Sequence, residues 1–245
     1  MGHGDDIIAT GLARGAAARG KRIAFGDGKR IIWGPWSKAI FANNPNIAAP
    51  GDERAEDLEW VAYYKGHRVY NHWTADRWVW NYEFRAKPGE FFLHTTSDIK
   101  PDFIFIEPNV PKKMGTLNKD WGFENYQRVV DALPDIHFVQ CDYGEGRKLR
   151  GVELLPTRNF LDAVLLLRRA ALAIVPEGGL HHAAAAVGVP AIVIFGGWVP
   201  PQVLGYESHV NLTGGARRFC GSFQPCTHCR EALQAITVDD VVRNV

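Results

Sequence analysis

The sequence predicts an α/β fold built around a parallel sheet, and three observations carry this prediction. Residues 171–175 and 191–195 are apolar runs of strand length, as expected for strands that are covered on both faces. A glycine pair, Gly178-Gly179, and a small-residue segment with helical character lie between these two runs. Upstream, further short apolar runs alternate with segments of helical periodicity. Alternation of this kind is typical of strand–helix–strand units, whose strands run parallel.

The elements of the second half follow this alternation in chain order. Strands are predicted at residues 103–106, 137–140, 172–175 and 191–195. Helices are predicted at residues 123–133, 160–170 and 180–187, where apolar or small side chains recur at helical spacing. Thr237 followed by two aspartates predicts the capped start of a terminal helix over residues 237–242.

The first hundred residues are less regular. They predict a helix at residues 7–19, a short strand at 22–25 and a loop-rich aromatic region at 33–46. The polar segment 95–101, which ends in a proline, predicts the boundary between two domains, at residues 1–98 and 99–245. In two-domain α/β proteins of this type, ligands lie beyond the carboxyl ends of the strands.

Six of the eight tryptophans lie in the first third of the chain. Large aromatic side chains usually fill cores, and a small domain needs dense packing, so a core role is favoured. Aromatic faces also bind sugar rings, and a groove is the alternative for four of these side chains: Tyr63, Tyr64, Trp73 and Trp78.

Bulk properties exclude several classes of protein. The formal net charge of +1 provides no general field for nucleic acid, so no nucleic-acid partner is expected. No apolar run approaches the roughly 20 residues that span a bilayer, and the N-terminus lacks a signal pattern. Four cysteines do not form a secreted disulfide framework. The expectation is a cytoplasmic protein.

The segment 176–182 predicts an anion site. A strand leads into the glycine pair, and a helix begins there. Glycines allow the backbone to approach a ligand closely, and the first-turn N–H groups and the helix dipole favour an anion such as a diphosphate.

Residues 177–197 resemble the donor-binding half of heptosyltransferase-like glycosyltransferases, family 9, which have the GT-B fold of two Rossmann-like domains facing a cleft. The family pattern is Asp-Ser/Thr-Gly-Leu-x-His, an Ala-rich helix, Gly-x-Pro, an apolar strand and Phe-Gly. Glu177 and Gly178 stand where the family usually has Asp and Ser or Thr. The resemblance implies a donor site formed by Glu177, Gly178, Gly179, Leu180, His182, Gly196 and Gly197. His182 could donate to a phosphate or satisfy a backbone carbonyl, and His181 is expected to face solvent. Trp198 could stack on the donor or pack at the rim.

A second match lies at residues 4–11, where the family has a Gly-Asp-x-Ile/Leu turn on the acceptor side of the cleft. By position Asp5 corresponds to the carboxylate that takes the proton of the acceptor hydroxyl. The alternative is that Asp5 or Asp6 caps the helix that follows. The family's first strand has no counterpart before Gly4, so we expect either a reduced N-terminal domain or a native start upstream of the recorded one.

A third match, residues 118–126, is similar to the family's Lys-x-Trp-Pro helix start, with Gly122 in place of the proline. In the family this lysine reaches the donor phosphates, which assigns that role to Lys119. A lysine offers a point charge that offsets the charge of a departing diphosphate. Lys112 and Lys113 are alternatives for the same role, and a solvated loop lysine is the simplest interpretation of the residue alone.

The segment 220–229 contains three of the four cysteines, Cys220, Cys226 and Cys229. The Cys-x-x-Cys spacing is that of zinc ligands, but a second pair is missing and His228 is expected to point away. Packing or reactive thiols are therefore favoured over zinc, and no metal is expected at the donor site.

The resemblance thus implies a metal-independent inverting glycosyltransferase without cofactor. It would move a sugar from a nucleoside-diphosphate sugar to a hydroxyl of an unknown acceptor, such as a glycan or a lipid-linked glycan. Two alternatives stay open: a GT-B nucleotide-sugar epimerase or hydrolase, and a catalytically inactive nucleotide-binding module.

Overall fold

A computed structural model describes residues 2–62, 69–93, 102–111 and 115–245. Its centre is a six-stranded sheet in the second half of the chain, in which every paired strand is parallel to its neighbour. The strands are β5 (Ile104–Ile106), β6 (Phe138–Asp142), β7 (Glu153–Pro156), β8 (Leu172–Pro176), β9 (Ala191–Ile194) and β10 (His209–Leu212). Their order in the sheet is β10-β9-β8-β5-β6-β7.

Four helices lie between strands of this sheet: α3 (Phe123–Ala132), α4 (Phe160–Leu167), α5 (Gly179–Val187) and α6 (Pro201–Leu204). A 3₁₀ turn at Thr116–Lys119 precedes α3, and α7 (Thr227–Gln234) and α8 (Val238–Val242) follow the last strand. The side chain of Thr237 accepts a hydrogen bond from the N–H of Asp240, which confirms the predicted cap of α8. Because all strands point the same way, the residues that follow them lie at one edge of the sheet.

The predicted strands of the second half are confirmed, as are its helices. The structure adds β7, β10, α6 and α7, which the sequence did not predict. Strands β7 and β10 are the edges of the sheet and are partly exposed, so they lack the continuous apolar run that marks the buried strands. Helix α7 is largely polar, and its three buried side chains are too few to form a recognisable apolar run.

The first part of the chain is smaller and less regular. It contains α1 (His3–Ala17), β1 (Arg22–Gly26), α2 (Ser37–Phe41), β2 (Leu58–Ala62), β3 (Tyr70–Trp73) and β4 (Trp78–Trp80). Strand β1 pairs in parallel with β2, and β3 pairs antiparallel with β4. Helix α1 begins four residues earlier than the predicted helix, because its first turn is polar and lacks apolar periodicity.

Helix α1 packs directly on α5, and one continuous hydrophobic cluster joins the first part of the chain to the large sheet. Trp80 belongs to this cluster and Trp33 and Trp78 pack against it, whereas Trp36 and Trp73 are exposed. The aromatic side chains are thus divided between core and surface. The division at residues 98 and 99, Tyr63 and Tyr64 lie outside the described residues, so the domain boundary stays a prediction.

Among the described residues, no helix has both the length and the apolar character needed to cross a membrane.

Candidate functional site

The site begins where β8 ends. Glu177 follows the last strand residue, and α5 starts two residues later with Gly178 as its N-cap. Gly178 has φ of +153°, a conformation that side chains rarely adopt, and a Cβ there would meet no atom of the described residues within 4 Å. The backbone conformation at position 178 therefore favours glycine, and the missing side chain leaves open space beside the first turn of the helix.

Lys119 comes to this turn from a distant part of the sequence. It ends the 3₁₀ turn, and its Nζ contacts Oε2 of Glu177 while the side chains are only 13% and 2% exposed. The ammonium also lies 4.3 Å from the centre of the indole ring of Trp198. A cation held this way, between a buried carboxylate and an aromatic face, is shielded from water, and the carboxylate belongs to the residue just before the N-cap of α5.

Asn118 fixes the backbone next to Lys119. This buried amide donates to the carbonyls of Ser222 and Gln224, at 3.0 and 2.9 Å, and accepts from the N–H of Cys226 at 3.0 Å. Ser222 also accepts a hydrogen bond from Nε1 of Trp198 at 2.7 Å. The loop before α7 therefore positions both Lys119 and the indole ring of Trp198, which lies against the Lys119 ammonium.

The two histidines of α5 are both buried. His181 accepts from the N–H of Gly178 through Nδ1, which leaves its Nε2–H to donate to the carbonyl of Leu204. Burial lowers the pKa of His181 to about 3, so its ring is neutral. The expectation that His181 faces solvent is wrong. Its buried ring accepts a hydrogen bond from the N-cap residue Gly178 and donates one to the carbonyl of Leu204.

His182 lies against the hydroxyl of Tyr206, with 2.8 Å between Nδ1 and the phenolic oxygen. Its Nε2 is 3.8 Å from Oε1 of Glu177. Burial also lowers the pKa of His182 well below its usual value. The neutral His182 ring therefore lies beside Oε1 of Glu177, whereas Lys119 contacts Oε2.

Glu107 is a second buried carboxylate at the same edge of the sheet. It follows β5, and its Oε1 accepts two hydrogen bonds from Asn109 while Oε2 has no partner among the described residues. Burial raises its pKa to about 7. Sequence reasoning missed Glu107, although its position directly after an apolar strand was a usable signal.

Asp5 lies in the first turn of α1, where its Oδ2 accepts a hydrogen bond from the N–H of Gly2 at 3.0 Å. This is the capping geometry that the sequence offered as the alternative to a catalytic role. The next residue, Asp6, is buried and accepts from the hydroxyl of Ser37 at 3.2 Å. Asp5, not Asp6, therefore carries the more accessible carboxylate.

The first turns of α1 and α5 lie against each other. A Cβ at Gly4 would be 3.5 Å from the backbone nitrogen of Gly179 and 3.0 Å from Cδ2 of His182. The ring of His3 stacks on Phe160, with 4.1 Å between the ring centres. Two helix N-termini thus meet at one place, and both dipoles favour an anion there.

The other residues assigned to the donor site have packing roles in the structure. Leu180 is partly buried against the core. A Cβ at Gly196 would lie 2.8 Å from Leu233, and one at Gly197 would lie 2.6 Å from Cε1 of His228. Helix α7 therefore requires both glycines, and their part in donor binding stays a prediction.

The structure brings the three C-terminal cysteines together with His228. One ligand atom from each of Cys220, Cys226, His228 and Cys229 lies within 4.8 Å of all the others. The expectation that His228 points away from the cysteines is wrong. His228 lies in the first turn of α7, and the loop that precedes this helix brings Cys220 to the same turn. A second group of this kind, Glu177, His181 and His182, lies in the site described above.

Comparisons with known proteins show which family model and which solved structures this chain resembles. The family model of glycosyltransferase family 9 (heptosyltransferase) matches residues 143–232. No curated protein sequence matches the chain. The glycosyl transferase family 9 structure from Veillonella parvula DSM 2008 is 12% identical, with a TM-score of 0.59, over 99% of this chain and 93% of that one.

Two Escherichia coli structures are also similar. The iron-containing dodecameric glycosyltransferase TibC, from enterotoxigenic E. coli H10407, is 16% identical with a TM-score of 0.55, over 91% of this chain and 76% of that one. Heptosyltransferase WaaC, solved with ADP-2-deoxy-2-fluoro heptose, is 16% identical with a TM-score of 0.45, over 62% of this chain. The chain spans about half the length of WaaC, as the match covers 45% of that protein.

These findings confirm the predicted α/β, GT-B-like fold class and the resemblance to heptosyltransferase-like glycosyltransferases. The part of the chain that matches the glycosyltransferase family 9 (heptosyltransferase) model, residues 143–232, includes Glu177, α5 and the cysteine loop.

Proposed function

We propose that this protein is a glycosyltransferase that moves a sugar from a nucleoside-diphosphate sugar to an acceptor hydroxyl, with inversion at the anomeric carbon. The observation that carries the proposal is the shielded ammonium of Lys119 beside the first turn of α5. A buried cation at a helix N-terminus is suited to a diphosphate, because both supply positive potential to the same oxygens.

The diphosphate would bind in the open space beside Gly178. The helix dipoles of α1 and α5 and the Lys119 ammonium would stabilise it, and Glu177 would hold the lysine in place. When the bond to the sugar breaks, negative charge grows on the departing phosphate oxygen. A cation already oriented toward that oxygen stabilises the transition state more than the ground state.

Asp5 would act on the acceptor. Its carboxylate would take the proton of the acceptor hydroxyl as that oxygen forms a bond to the anomeric carbon, opposite the leaving diphosphate. The carboxylate lies in the first turn of α1, which meets the first turn of α5, so base and leaving group would face each other. Attack from the face opposite the leaving group inverts the anomeric configuration.

The transfer proposed here uses no metal ion at the diphosphate. Glu177, His181 and His182 form a possible ligand group, but Lys119 contacts the carboxylate and both ring nitrogens of His181 have backbone partners. Lys119 would therefore supply the positive charge that a divalent ion supplies elsewhere.

Two structures of E. coli heptosyltransferase WaaC contain ADP or an ADP-heptose analogue, and one of TibC contains ADP-D-beta-D-heptose. An adenosine-diphosphate sugar is therefore the first donor to test. The identity of the acceptor is left to a screen of glycans and lipid-linked glycans.

The test is nucleotide binding followed by transfer. Thermal stability of the wild type is measured with ADP, UDP, GDP, CMP and dTDP, with and without EDTA, since a ligand that binds only the folded state raises the Tm. One diphosphate is expected to raise the Tm regardless of EDTA, and Lys119→Met is expected to weaken its affinity by about tenfold or more. The matched control is Lys148→Met, which removes a surface ion pair with Asp142.

Three results would contradict the proposal. No shift with any nucleotide would exclude a working donor site. Donor turnover without acceptor would favour the epimerase or hydrolase. Tight nucleotide binding without turnover, and without an effect of Asp5→Asn, would indicate an inactive binding module.

A further inference from the structure

Three thiols and an imidazole meet between the end of the sheet and α7. Cys220 comes from the loop after β10, Cys226 is the N-cap of α7, and His228 and Cys229 lie in its first turn. All three thiols are free, and the Sγ atoms of Cys220 and Cys229 are 3.1 Å apart. A disulfide needs about 2 Å between its two sulfurs, so Cys220 and Cys229 are close neighbours that are not covalently joined.

The ligand set has the size of a tetrahedral metal site. The four donor atoms lie within 4.8 Å of one another. Two thiolates on one zinc ion, each about 2.3 Å from the metal, lie roughly 3.8 Å apart. A single ion at the centre of the cluster can therefore reach all four atoms with small side-chain adjustments.

His228 supplies an independent observation. Its Nδ1 is buried and has no hydrogen-bond partner among the described residues. The ring lies against Gly197, where a Cβ would come within 2.6 Å of Cε1, so the absent side chain makes room for the imidazole. A buried ring nitrogen without a partner destabilises the fold, and a metal ion would satisfy it.

We propose that Cys220, Cys226, His228 and Cys229 bind one thiophilic divalent metal ion, such as Zn²⁺ or Fe²⁺, in a closed structural site. Four protein ligands leave no open position for substrate, which separates this site from a catalytic metal centre. The inference rests on the cysteine cluster and not on the proposed transfer reaction.

The ion would hold a loop that reaches three other parts of the protein. The Gly221 carbonyl accepts from the N–H of Trp78 at 3.0 Å, and the N–H of Phe223 donates to the Asp76 carbonyl at 2.8 Å. Through Asn118 the same loop positions Lys119, and through Ser222 it positions Trp198. Loss of the ion is therefore expected to loosen the β3–β4 hairpin and the Lys119 turn together.

The test is elemental analysis of full-length protein purified under reducing conditions without chelator or metal-affinity resin. About one equivalent of a single transition metal is expected, and its element identifies the ion. Stripped protein given Co²⁺ is expected to develop thiolate-to-cobalt charge-transfer absorption. Cys220→Ser, which alters a loop residue and spares the helix, is expected to lower the metal content about tenfold or more.

Cys141→Ala is the matched control, because Cys141 is a buried cysteine of β6 outside the cluster. It is expected to keep a full equivalent of metal. If Cys220→Ser fails to fold, the metal content and the cobalt spectrum of the wild type still decide the question. A metal-free protein whose stripped form shows no cobalt–thiolate absorption would overturn the proposal, as would a disulfide between two of the three cysteines in freshly prepared protein.

Discussion

The ammonium of Lys119 contacts the carboxylate of Glu177 in a region that is nearly closed to solvent. One residue ends a 3₁₀ turn and the other follows β8, so the pair joins two elements that are remote in sequence. Removing one partner of a buried pair leaves the other charge without compensation, which costs far more than losing a surface pair.

Lys119→Met is therefore expected to lower the free energy of unfolding by about 3 kcal/mol. The double variant Lys119→Met/Glu177→Gln is expected to recover part of that loss, because the unpaired carboxylate is gone. Urea unfolding of the wild type, both single variants and the double variant gives the coupling energy. Lys148→Met, at an exposed pair, is expected to cost less than about 1 kcal/mol. Equal losses for the two lysine variants would show that solvent screens the Lys119 pair.

Asp5→Asn separates capping from catalysis. Asparagine keeps an oxygen that can accept from the Gly2 N–H, so the change in stability is expected to stay below about 1 kcal/mol. It cannot take a proton, so sugar transfer is expected to fall by about 10² to 10⁴. Transfer rates with saturating donor, together with Tm, provide both readouts.

The control is Asp240→Asn. Asp240 occupies the third position of α8, and its Oδ2 accepts from the N–H of Thr237, as Asp5 does from Gly2. Its substitution is expected to affect stability alone. If Asp5→Asn leaves transfer unchanged, Asp5 is a cap and another group is the base.

Gly4→Ala tests the contact between the first turns of α1 and α5. The new methyl group would lie 3.0 Å from the His182 ring and force the two helices apart. Gly15→Ala, on the same helix, adds a methyl group whose one neighbour within 4 Å, among the described residues, is the Arg19 side chain at 3.9 Å. Both substitutions improve helix propensity. The difference in stability between the two variants therefore measures the cost of the methyl group that lies between α1 and α5.

We expect Gly4→Ala to be less stable than Gly15→Ala by about 1 to 3 kcal/mol, measured by urea unfolding. It should also weaken diphosphate binding, since the two dipoles no longer converge. Equal stabilities would mean that the helices separate at little cost.

The stability of the protein is expected to fall on acidification below about pH 6.5, where free histidine begins to bind protons. Burial lowers the pKa of His181 to about 3 and that of His209 to about 4, and it lowers the pKa of His182 as well. Between these values and about 6.5 the unfolded chain binds protons that the folded chain excludes, and each histidine contributes about 1.4 kcal/mol per pH unit.

Glu107 acts in the opposite direction. Its pKa of about 7 in the folded protein lies above that of a free carboxyl, so the stability it contributes is lost as the pH rises toward 7. Three histidines outweigh one carboxyl, so the free energy of unfolding should decline by roughly 3 kcal/mol per pH unit from pH 6 to 5. Urea titrations at several pH values measure this slope. Glu107→Gln should stabilise the protein at pH 8 and steepen the acid decline; a flat profile would mean that the histidines are solvated.

Local sequence determined the strands and helices of the second half because buried parallel strands are continuous apolar runs. The same reasoning failed for β7 and β10, since edge strands need only a partial apolar pattern. Local sequence also failed to predict the burial of His181. The two hydrogen-bond partners of its ring, Gly178 and Leu204, are brought together by the fold, and neighbouring residues do not reveal this.

The α/β class, the glycine turn before α5 and the Cys-x-x-Cys spacing can be read from short-range sequence patterns. The contacts of Lys119 with Glu177 and of Gly4 with Gly179, and the joining of Cys220 and His228 in one cluster, depend on the folded chain. These contacts join segments whose separation along the chain carries no periodic signal. They arise from how the sheet, α1 and α7 pack around one shared core, and that packing depends on the whole chain at once.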